Sequence, residues 1–432
     1  MTYEEAAAYL QRLIRFGIKT GLDHTRHLAG RLGNPEGAHP NVIVGGTNGK
    51  GSTSAFLEAI LRFSGYRTGL YTSPHLVEVR ERIRVGGEPV SPEALAQSLA
   101  AVRAAAEGAL REGVLEEEPT YFEALTLAAF HRFREERVEV AVLEVGLGGG
   151  KDCTNAAPAV LCAVTNVALD HEEYLGPGLL SIAREKAGIF RAGAPALTGE
   201  RSTWALRVMR QEAARRGARL TLPDWEVFRE REGWRFGWRG GEWAFPAPAL
   251  AGDHQVDNAA LAVRCALELR ERGFSVTGEA LRRGIAEARW PGRLEKAAAS
   301  PDLYLDGAHN PAGCTVLARF VASLPHRRKA LVFTALKDKP VEQMAAVLFG
   351  AFGKVFFTEV PMARGEKTEN LRRLARWEGE AAEEPDPAAA LRAAAEWSGR
   401  EGMVVAAGSL YLIGYLKGLS QSQGLGTWGS GL

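Results

Sequence analysis

Gly45-Gly46-Thr47-Asn48-Gly49-Lys50-Gly51-Ser52-Thr53 follows the apolar run Val42-Ile43-Val44 and precedes Ala55-Phe56-Leu57-Glu58-Ala59-Ile60-Leu61. That succession predicts a buried strand, a tight glycine turn and a helix. Glycines in such a turn let successive backbone N–H groups point inward, and the helix adds its positive N-terminal end. Lys50 would place a cation on the β- and γ-phosphates of a nucleoside triphosphate, and Ser52 would offer its hydroxyl to phosphate or Mg²⁺. Thr47, Asn48, Gly49 and Gly51 would line the same cradle. Gly51 separates the lysine from Ser52, so the match to G-x-x-x-x-G-K-[ST] is inexact. The segment reads as an ATP or GTP loop, and phosphate binding alone does not name a reaction.

Composition sets the outer limits. A chain of 432 residues is long for one core and predicts two domains. A net charge of +1 argues against a general nucleic-acid or membrane-surface binder, which leaves small molecules as the expected partners. The four cysteines, Cys153, Cys162, Cys265 and Cys314, have no C-x-x-C spacing and read as small buried residues in a reducing compartment. No run approaches about 18 uninterrupted apolar residues, and the N-terminus MTYEEAAAYL is acidic instead of signal-like. A cytoplasmic monomer is the expectation.

Strand-like and helical stretches alternate along most of the chain. Helices are expected over residues 54–64, 92–110 (opened by Ser91-Pro92) and 121–136, with strands ending at Tyr71-Thr72, over 138–145 and over 159–167. Nearly continuous Val/Leu/Ala strands separated by helices imply a P-loop NTPase-like, mostly parallel sheet covered on both faces. Residues 220–250, with Trp234, Trp238 and Trp243, predict a small antiparallel excursion whose tryptophans serve packing. Helices over 254–272 and 277–289 lead to Trp290-Pro291-Gly292-Arg293, after which the alternation restarts at Leu303. Strands near 329–335, 354–360 and 403–407 and helices near 312–323, 340–352 and 387–398 predict a smaller Rossmann-like α/β domain. The expected divisions are 1–294, 295–420 and a flexible tail, 421–432.

Several polar residues fall where ligands gather in open α/β sheets, at the carboxyl ends of strands. Glu144 ends the strand VAVLEV and reads either as a Mg²⁺ ligand or as an exposed strand-end acid. Asp170-His171 and Ser73 also follow strands, and each alone could be an ordinary surface residue. Together, Ser52, Ser73, Glu144 and His171 converge on one edge, which is what a metal–nucleotide site needs. Lys186 has no local mark and by pattern alone reads as a solvated helix lysine. Asp306-Gly307-Ala308-His309-Asn310-Pro311 reads by itself as a turn with helix-capping residues. Gly146–Gly150 fails as a dinucleotide fingerprint, because Lys151 stands where the third glycine would fall.

The motifs GTNGKGS, YTSPHL with ERIR, TYFEALT, LEVGLGG with DCTN, ALDHEEYLG, IAREKAGIF, HQVDNAALA, WPGRLE, LDGAHNPAG, LKDKP and GSLYLIG occur in that order. The set resembles the folylpolyglutamate synthase/dihydrofolate synthase family, a branch of the Mur ligase superfamily, over residues 1 to about 418. The resemblance implies an ATP-dependent ligase acting through an acyl phosphate that L-glutamate attacks. It implies Mg²⁺ at two sites, with Ser73 and Glu144 at the first and His171 at the second. Lys186 matches a lysine carbamylated in the family and would be an oxygen ligand. Asn258, Arg293 and Asp306 match ATP contacts, Arg293 at phosphates and Asp306 at the ribose end, and His309 matches a residue near the γ-phosphate and incoming glutamate. Lys50, Lys186 and His309 are thus the expected catalytic residues.

Two segments depart from the pattern of bifunctional members. Gly150 stands where many of them carry Arg, and Lys19-Thr20-Gly21-Leu22-Asp23 looks more like members known only for chain extension. The expected acceptor is therefore a reduced folate, with dihydropteroate as a second candidate. A Mur-type peptidoglycan ligase is the first rival. It would carry a UDP-binding domain ahead of the loop, where this chain has 44 residues. A non-catalytic nucleotide switch is the second, and it would not need His171, Lys186, Asp306 or His309.

Overall fold

In the computed structural model, residues 1–17, 19 and 21–422 are described. The expected tail therefore lies outside the described residues from 423 onward, while the backbone of 421 and 422 completes the helix Leu410–Ser422. The first sheet comprises β1 (Asn41–Gly45), β2 (Thr68–Tyr71), β3 (Ile83–Val85), β4 (Glu88–Pro89), β5 (Val140–Glu144), β6 (Ala159–Val164), β7 (Pro195–Thr198) and β8 (Arg219–Thr221). Its order is β4-β3-β2-β5-β1-β6-β7-β8. The run from β2 to β8 is parallel, and only the β3–β4 edge is antiparallel.

The strands read as unbroken apolar runs because both faces are covered. Ile43, Ala141 and Leu143 face one core, built with the helices Tyr3–Leu13, Pro92–Arg111 and Tyr121–Glu135. Val42, Val44, Val140 and Val142 face the other, built with Lys50–Phe63, His254–Glu271 and Gly278–Glu287. A period of two with apolar residues on both faces is the signature of a doubly covered parallel sheet.

A second sheet joins β12 (Glu295–Ala299), β13 (Asp302–Leu305), β14 (Lys329–Phe333), β15 (Lys354–Phe357), β16 (Ala381–Glu383) and β17 (Met403–Ala407), in the order β12-β13-β17-β14-β15-β16. Only β12 is antiparallel, and helices cover both faces. The fold is thus the expected one: a mostly parallel sheet with helices on both faces, followed by a smaller α/β unit. Among the described residues, no helix is long and apolar enough to cross a membrane.

Local details differ from the sequence reading. The helix expected over 54–64 begins at Lys50, because Gly49, at φ 81°, turns the loop directly into the first helical turn. Ser91 caps its helix through Ala94 N–H with Pro92 in the first turn, as the sequence predicts. The four cysteines are free and buried.

The Trp-rich excursion is the antiparallel sheet β9 (Trp225–Arg229), β10 (Gly233–Trp238) and β11 (Gly241–Pro246). Trp234 stacks on Phe245 with ring centroids 4.6 Å apart, and Trp238 is buried, so the tryptophans pack. Arg264 ties this sheet to the helix His254–Glu271. Its guanidinium lies 4.3 Å over the Trp238 ring and 3.0 Å from both Asp224 and Glu268. Trp238 Nε1 donates to the other Asp224 oxygen. Removing one partner of a buried pair leaves the other charge without compensation. Arg264→Met should therefore destabilise the protein by about 3 kcal/mol in urea unfolding; a loss below about 1 kcal/mol would show that this pair does not hold the excursion in place.

Candidate active site

The carboxyl ends of β2, β5, β1 and β6 lie side by side, so the segments that follow them converge. After β1 comes the phosphate loop, whose crown is tied to the segment after β6. Thr47 N–H donates to Asn166 O, and Asn48 N–H donates to the Asn166 side chain. The Asn48 carbonyl accepts from Thr165 Oγ1 at 2.6 Å and from Asn166 Nδ2 at 2.9 Å. Lys50 Nζ donates back to Thr47 O at 3.2 Å, so the ammonium folds over the loop. A Cβ on Gly49 would lie 2.3 Å from Asn258 Oδ1, which places Asn258 directly against the turn. The extra glycine has its own cause: a Cβ on Gly51 would lie 2.7 Å from Trp290 Nε1. The indole of Trp290 occupies the space that a side chain there would need.

Glu144 closes β5 as a buried carboxylate, and one of its oxygens accepts Ser73 N–H at 3.2 Å. Burial pushes its pKa up, although Lys50, the Ser73 N–H, Arg293 and Arg82 pull the other way. His171 sits at φ 53°, an unfavourable backbone state for a non-glycine residue, with Nδ1 buried and without a partner. Burial, reinforced by Lys339, His309 and Lys50, brings its imidazole down to about 4 despite Asp170. It is therefore a neutral nitrogen donor at neutral pH. Lys186 is buried and donates to Gly46 O at 2.9 Å. Burial and the neighbouring Lys50 bring its ammonium down to about 7, with Asp170 opposing.

The second sheet supplies the opposite wall. Asp306 ends the stretch after β13 and accepts Leu294 N–H and Ala308 N–H, both at 2.9 Å. Beyond any ribose contact, it therefore pins the connector to the turn that carries His309, a task the sequence did not show. His309 Nδ1 is 2.7 Å from Gly307 O, and Nε2 lies 3.5 Å from Asp170. All the predicted residues, from Thr47 through Ser52 to Ser73, Glu144, His171, Lys186, Asn258, Arg293, Asp306 and His309, line one cavity of about 470 Å³.

A second cavity, of about 330 Å³, adjoins it and shares Ser73, His171 and His309 as a common wall. Phe122, Arg82, Lys151 and Tyr411 line this cavity and not the first.

Sequence reasoning missed the residues that join the two units. Asn310 donates to Asn48 Oδ1 at 3.0 Å and to Asp170 at 3.1 Å, and Lys339 reaches Asp170 at 2.8 Å. Burial works against the Asp170 charge, but His309, His171 and Lys339 outweigh it and hold the carboxyl well below the usual range. The signals were the neighbours of named residues: Asp170 beside His171, Asn310 beside His309, and Lys339 inside LKDKP.

Among the described residues, no cluster of three or more His, Cys, Asp or Glu side chains converges to hold a metal. The donors at hand are the Glu144 carboxylate, the Ser73 hydroxyl and the unpartnered His171 Nδ1. That is an incomplete, mainly oxygen set, suited to a hard divalent cation whose remaining ligands come from phosphate and water.

Family models match the Mur ligase middle domain over residues 44–266 and the Mur ligase glutamate ligase domain over residues 292–410. With the phosphate loop and the facing second sheet, they define an ATP-dependent ligase of the Mur class. The dihydrofolate synthase/folylpolyglutamate synthase of Bacillus subtilis is 34% identical over 425 residues, covering 96% of this chain and 98% of that protein. Folylpolyglutamate synthase of Lacticaseibacillus casei is 36% identical, covering 84% of this chain and 86% of that one. E. coli FolC, solved with DHPP and ADP, superposes with a TM-score of 0.88 at 33% identity, covering 97% of this chain and 98% of that one. The Yersinia pestis bifunctional enzyme, solved with AMPPNP and Mn, gives 0.85 at 31% identity and 98% coverage of both. The chain belongs to the folylpolyglutamate synthase/dihydrofolate synthase family.

The two segments that depart from the bifunctional pattern border the second cavity, through Lys19 and through Lys151, Asp152 and Cys153. Gly150 does not line the second cavity; a Cβ there would face Gly188 Cα at 3.2 Å, and Lys151 lines the cavity instead. Thr20 of the other departing segment lies outside the described residues.

Because Trp290 leaves no room at Gly51, Gly51→Ala should displace the first helical turn and weaken ADP binding about tenfold or more. Isothermal titration checks this, and an unchanged Kd would show that the indole contact does not set the loop.

Proposed function

We propose that this protein joins L-glutamate to a reduced folate in an ATP-dependent reaction, with dihydropteroate as a possible second acceptor. The observation that carries the reading is the shared wall: a cavity built on a phosphate loop and a cavity on the acceptor side meet at Ser73, His171 and His309. An acceptor carboxylate at that junction would face the γ-phosphate. A carboxylate is a poor electrophile, so its oxygen first attacks the γ-phosphorus and ADP leaves, giving an acyl phosphate. The glutamate amine, having lost its ammonium proton, then attacks the carbonyl carbon, and inorganic phosphate departs from the tetrahedral intermediate to leave an amide. The loop N–H groups, the helix end and Lys50 would neutralise charge on the transferred phosphoryl group. Arg293 and Asn258 would steady the nucleotide, and His309 would meet the incoming amine. In this reading residues 1–294 bind ATP and acceptor, and residues 295–420 deliver glutamate.

Mg²⁺ fits the donors present: Ser73 and Glu144 would hold one ion, His171 and a carbamylated Lys186 a second, and the ions would supply charge neutralisation at the phosphates. Lys186 suits carbamylation, because a buried amine brought down to about 7 is substantially neutral at physiological pH and can attack CO₂. The product is an anion where the protein otherwise buries an amine beside Lys50.

Mass spectrometry of products from Mg-ATP, L-glutamate and either tetrahydrofolate or dihydropteroate tests the reaction. One added glutamyl residue per ADP released is expected. ADP release that ignores glutamate, with no amide formed, would favour a nucleotide switch. Carbamylation is tested by NMR with ¹³C-bicarbonate. A carbamate resonance should be absent in Lys186→Ala and should grow as pH rises from about 6 to 8, because the free amine increases through the lowered pKa. No resonance in the metal-loaded protein would remove the carbamate from the mechanism.

A further inference from the structure

Arg82 is the one lining cation of the 330 Å³ cavity that is both buried and without a carboxylate among the described residues. Lys19 pairs with Glu117, Lys339 with Asp170 at 2.8 Å, and Arg364 with Asp338 at 3.1 Å, whereas Lys151 is exposed to water. Arg82 is only 8% exposed. Its Nε donates to His75 Nδ1 at 2.9 Å, and its guanidinium carbon lies 5.3 Å from the centroid of the Tyr121 ring. Its backbone is fixed as well, since Thr72 N–H donates to Arg82 O at 3.0 Å. One edge and one face of the guanidinium are therefore held, and its two terminal Nη groups have no protein partner among the described residues. A buried guanidinium is costly unless an anion completes it, and its planar fork matches a carboxylate.

The placement selects which carboxylate. Lys50, Glu144, Lys186 and Arg293 line only the nucleotide cavity, and Arg82 lines only the acceptor cavity. The carboxylate that is phosphorylated must sit at the shared wall, within reach of the γ-phosphate. A carboxylate bound at Arg82 stays on the acceptor side throughout. We infer that Arg82 anchors the α-carboxylate of the acceptor's terminal glutamate and thereby presents the γ-carboxylate to the phosphoryl group. The inference rests on the proposed folate acceptor and adds to it a residue that distinguishes a glutamate-bearing acceptor from one lacking an α-carboxylate.

The test compares tetrahydrofolate with tetrahydropteroyl-γ-aminobutyrate, which keeps the reacting carboxylate and lacks the α-carboxylate. Binding to the ADP-loaded full chain is measured directly, alongside KM and kcat. The wild-type protein should bind tetrahydrofolate about 10- to 100-fold more tightly than the analogue. Arg82→Met should erase that preference by weakening tetrahydrofolate alone, with the KM for ATP unchanged, and Arg82→Lys should recover part of it. Equal wild-type binding of the two acceptors overturns the inference whether or not the variants fold. Equal weakening of both acceptors by Arg82→Met overturns it too, by assigning Arg82 to the reacting carboxylate or to structure. Failure of the wild-type protein to form any amide from tetrahydrofolate would instead overturn the proposed function. Normal turnover without α-carboxylate preference overturns the anchor alone.

Discussion

The two sheets are tied together at the site through one side-chain amide, that of Asn310. Its Oδ1 caps the helix Pro311–Ser323 through Gly313 N–H, which fixes the amide plane on the second unit. Its Nδ2 then donates to Asn48 in the phosphate loop and to Asp170 after β6. Lys339 adds an ion pair to the same Asp170. Asn310 is 1% exposed, so shifting either unit would strand buried donors and acceptors away from water, at a cost of about 1–3 kcal/mol for each unsatisfied group. The net stabilisation from the ion pair is small once desolvation is counted. Its consequence is registry: the turn carrying His309 is held opposite the loop carrying Lys50.

The charged groups around that register differ in how the protein compensates them. Asp170 is ionised and surrounded by His309, His171 and Lys339, so it is spent on the protein itself. Glu144 and Asp306 are further buried carboxylates of the same cavity, and Glu144 feels Lys50, Arg293 and Arg82. Lys186 is driven toward neutrality by burial and by Lys50. Lys50 and Arg293 line the cavity with these acids, so cationic and anionic groups are interleaved around it.

The sheet architecture was legible because its signal is local: apolar runs, Ser91-Pro92 at a helix start, and glycines at a strand end. Convergence of Ser73, Glu144 and His171 on one edge followed from parallel strands alone. Lys186 was not legible from its own surroundings, since a lysine in a short helix looks solvated until the fold places Gly46 O against it. Its identification needed the ordered motif set. The joining residues were invisible for a different reason. Asn48 and Asn310 are separated by 262 residues, and nothing in either segment announces that their amides meet. The segment that holds Gly150 borders the second cavity through Lys151, Asp152 and Cys153. Gly150 itself packs on Gly188, where a Cβ would lie 3.2 Å from the Gly188 Cα.

The irregular phosphate loop follows from the same coupling of distant parts. Trp290, packed against Gly51, belongs to the segment that leaves the first unit for the second. Two residues later Gly292 donates its N–H to Glu295, and its carbonyl accepts Gly307 N–H. Leu294 N–H then reaches Asp306. The first helical turn, the connector and the His309-bearing turn are consequently joined by short, directional contacts. A side chain at position 51 would separate the indole from the loop and uncouple phosphate position from the placement of the second sheet. Gly51 thus does more than relax a consensus spacing. It lets the segment between the two sheets rest on the phosphate loop, so that the loop and the second unit are positioned by one continuous structure.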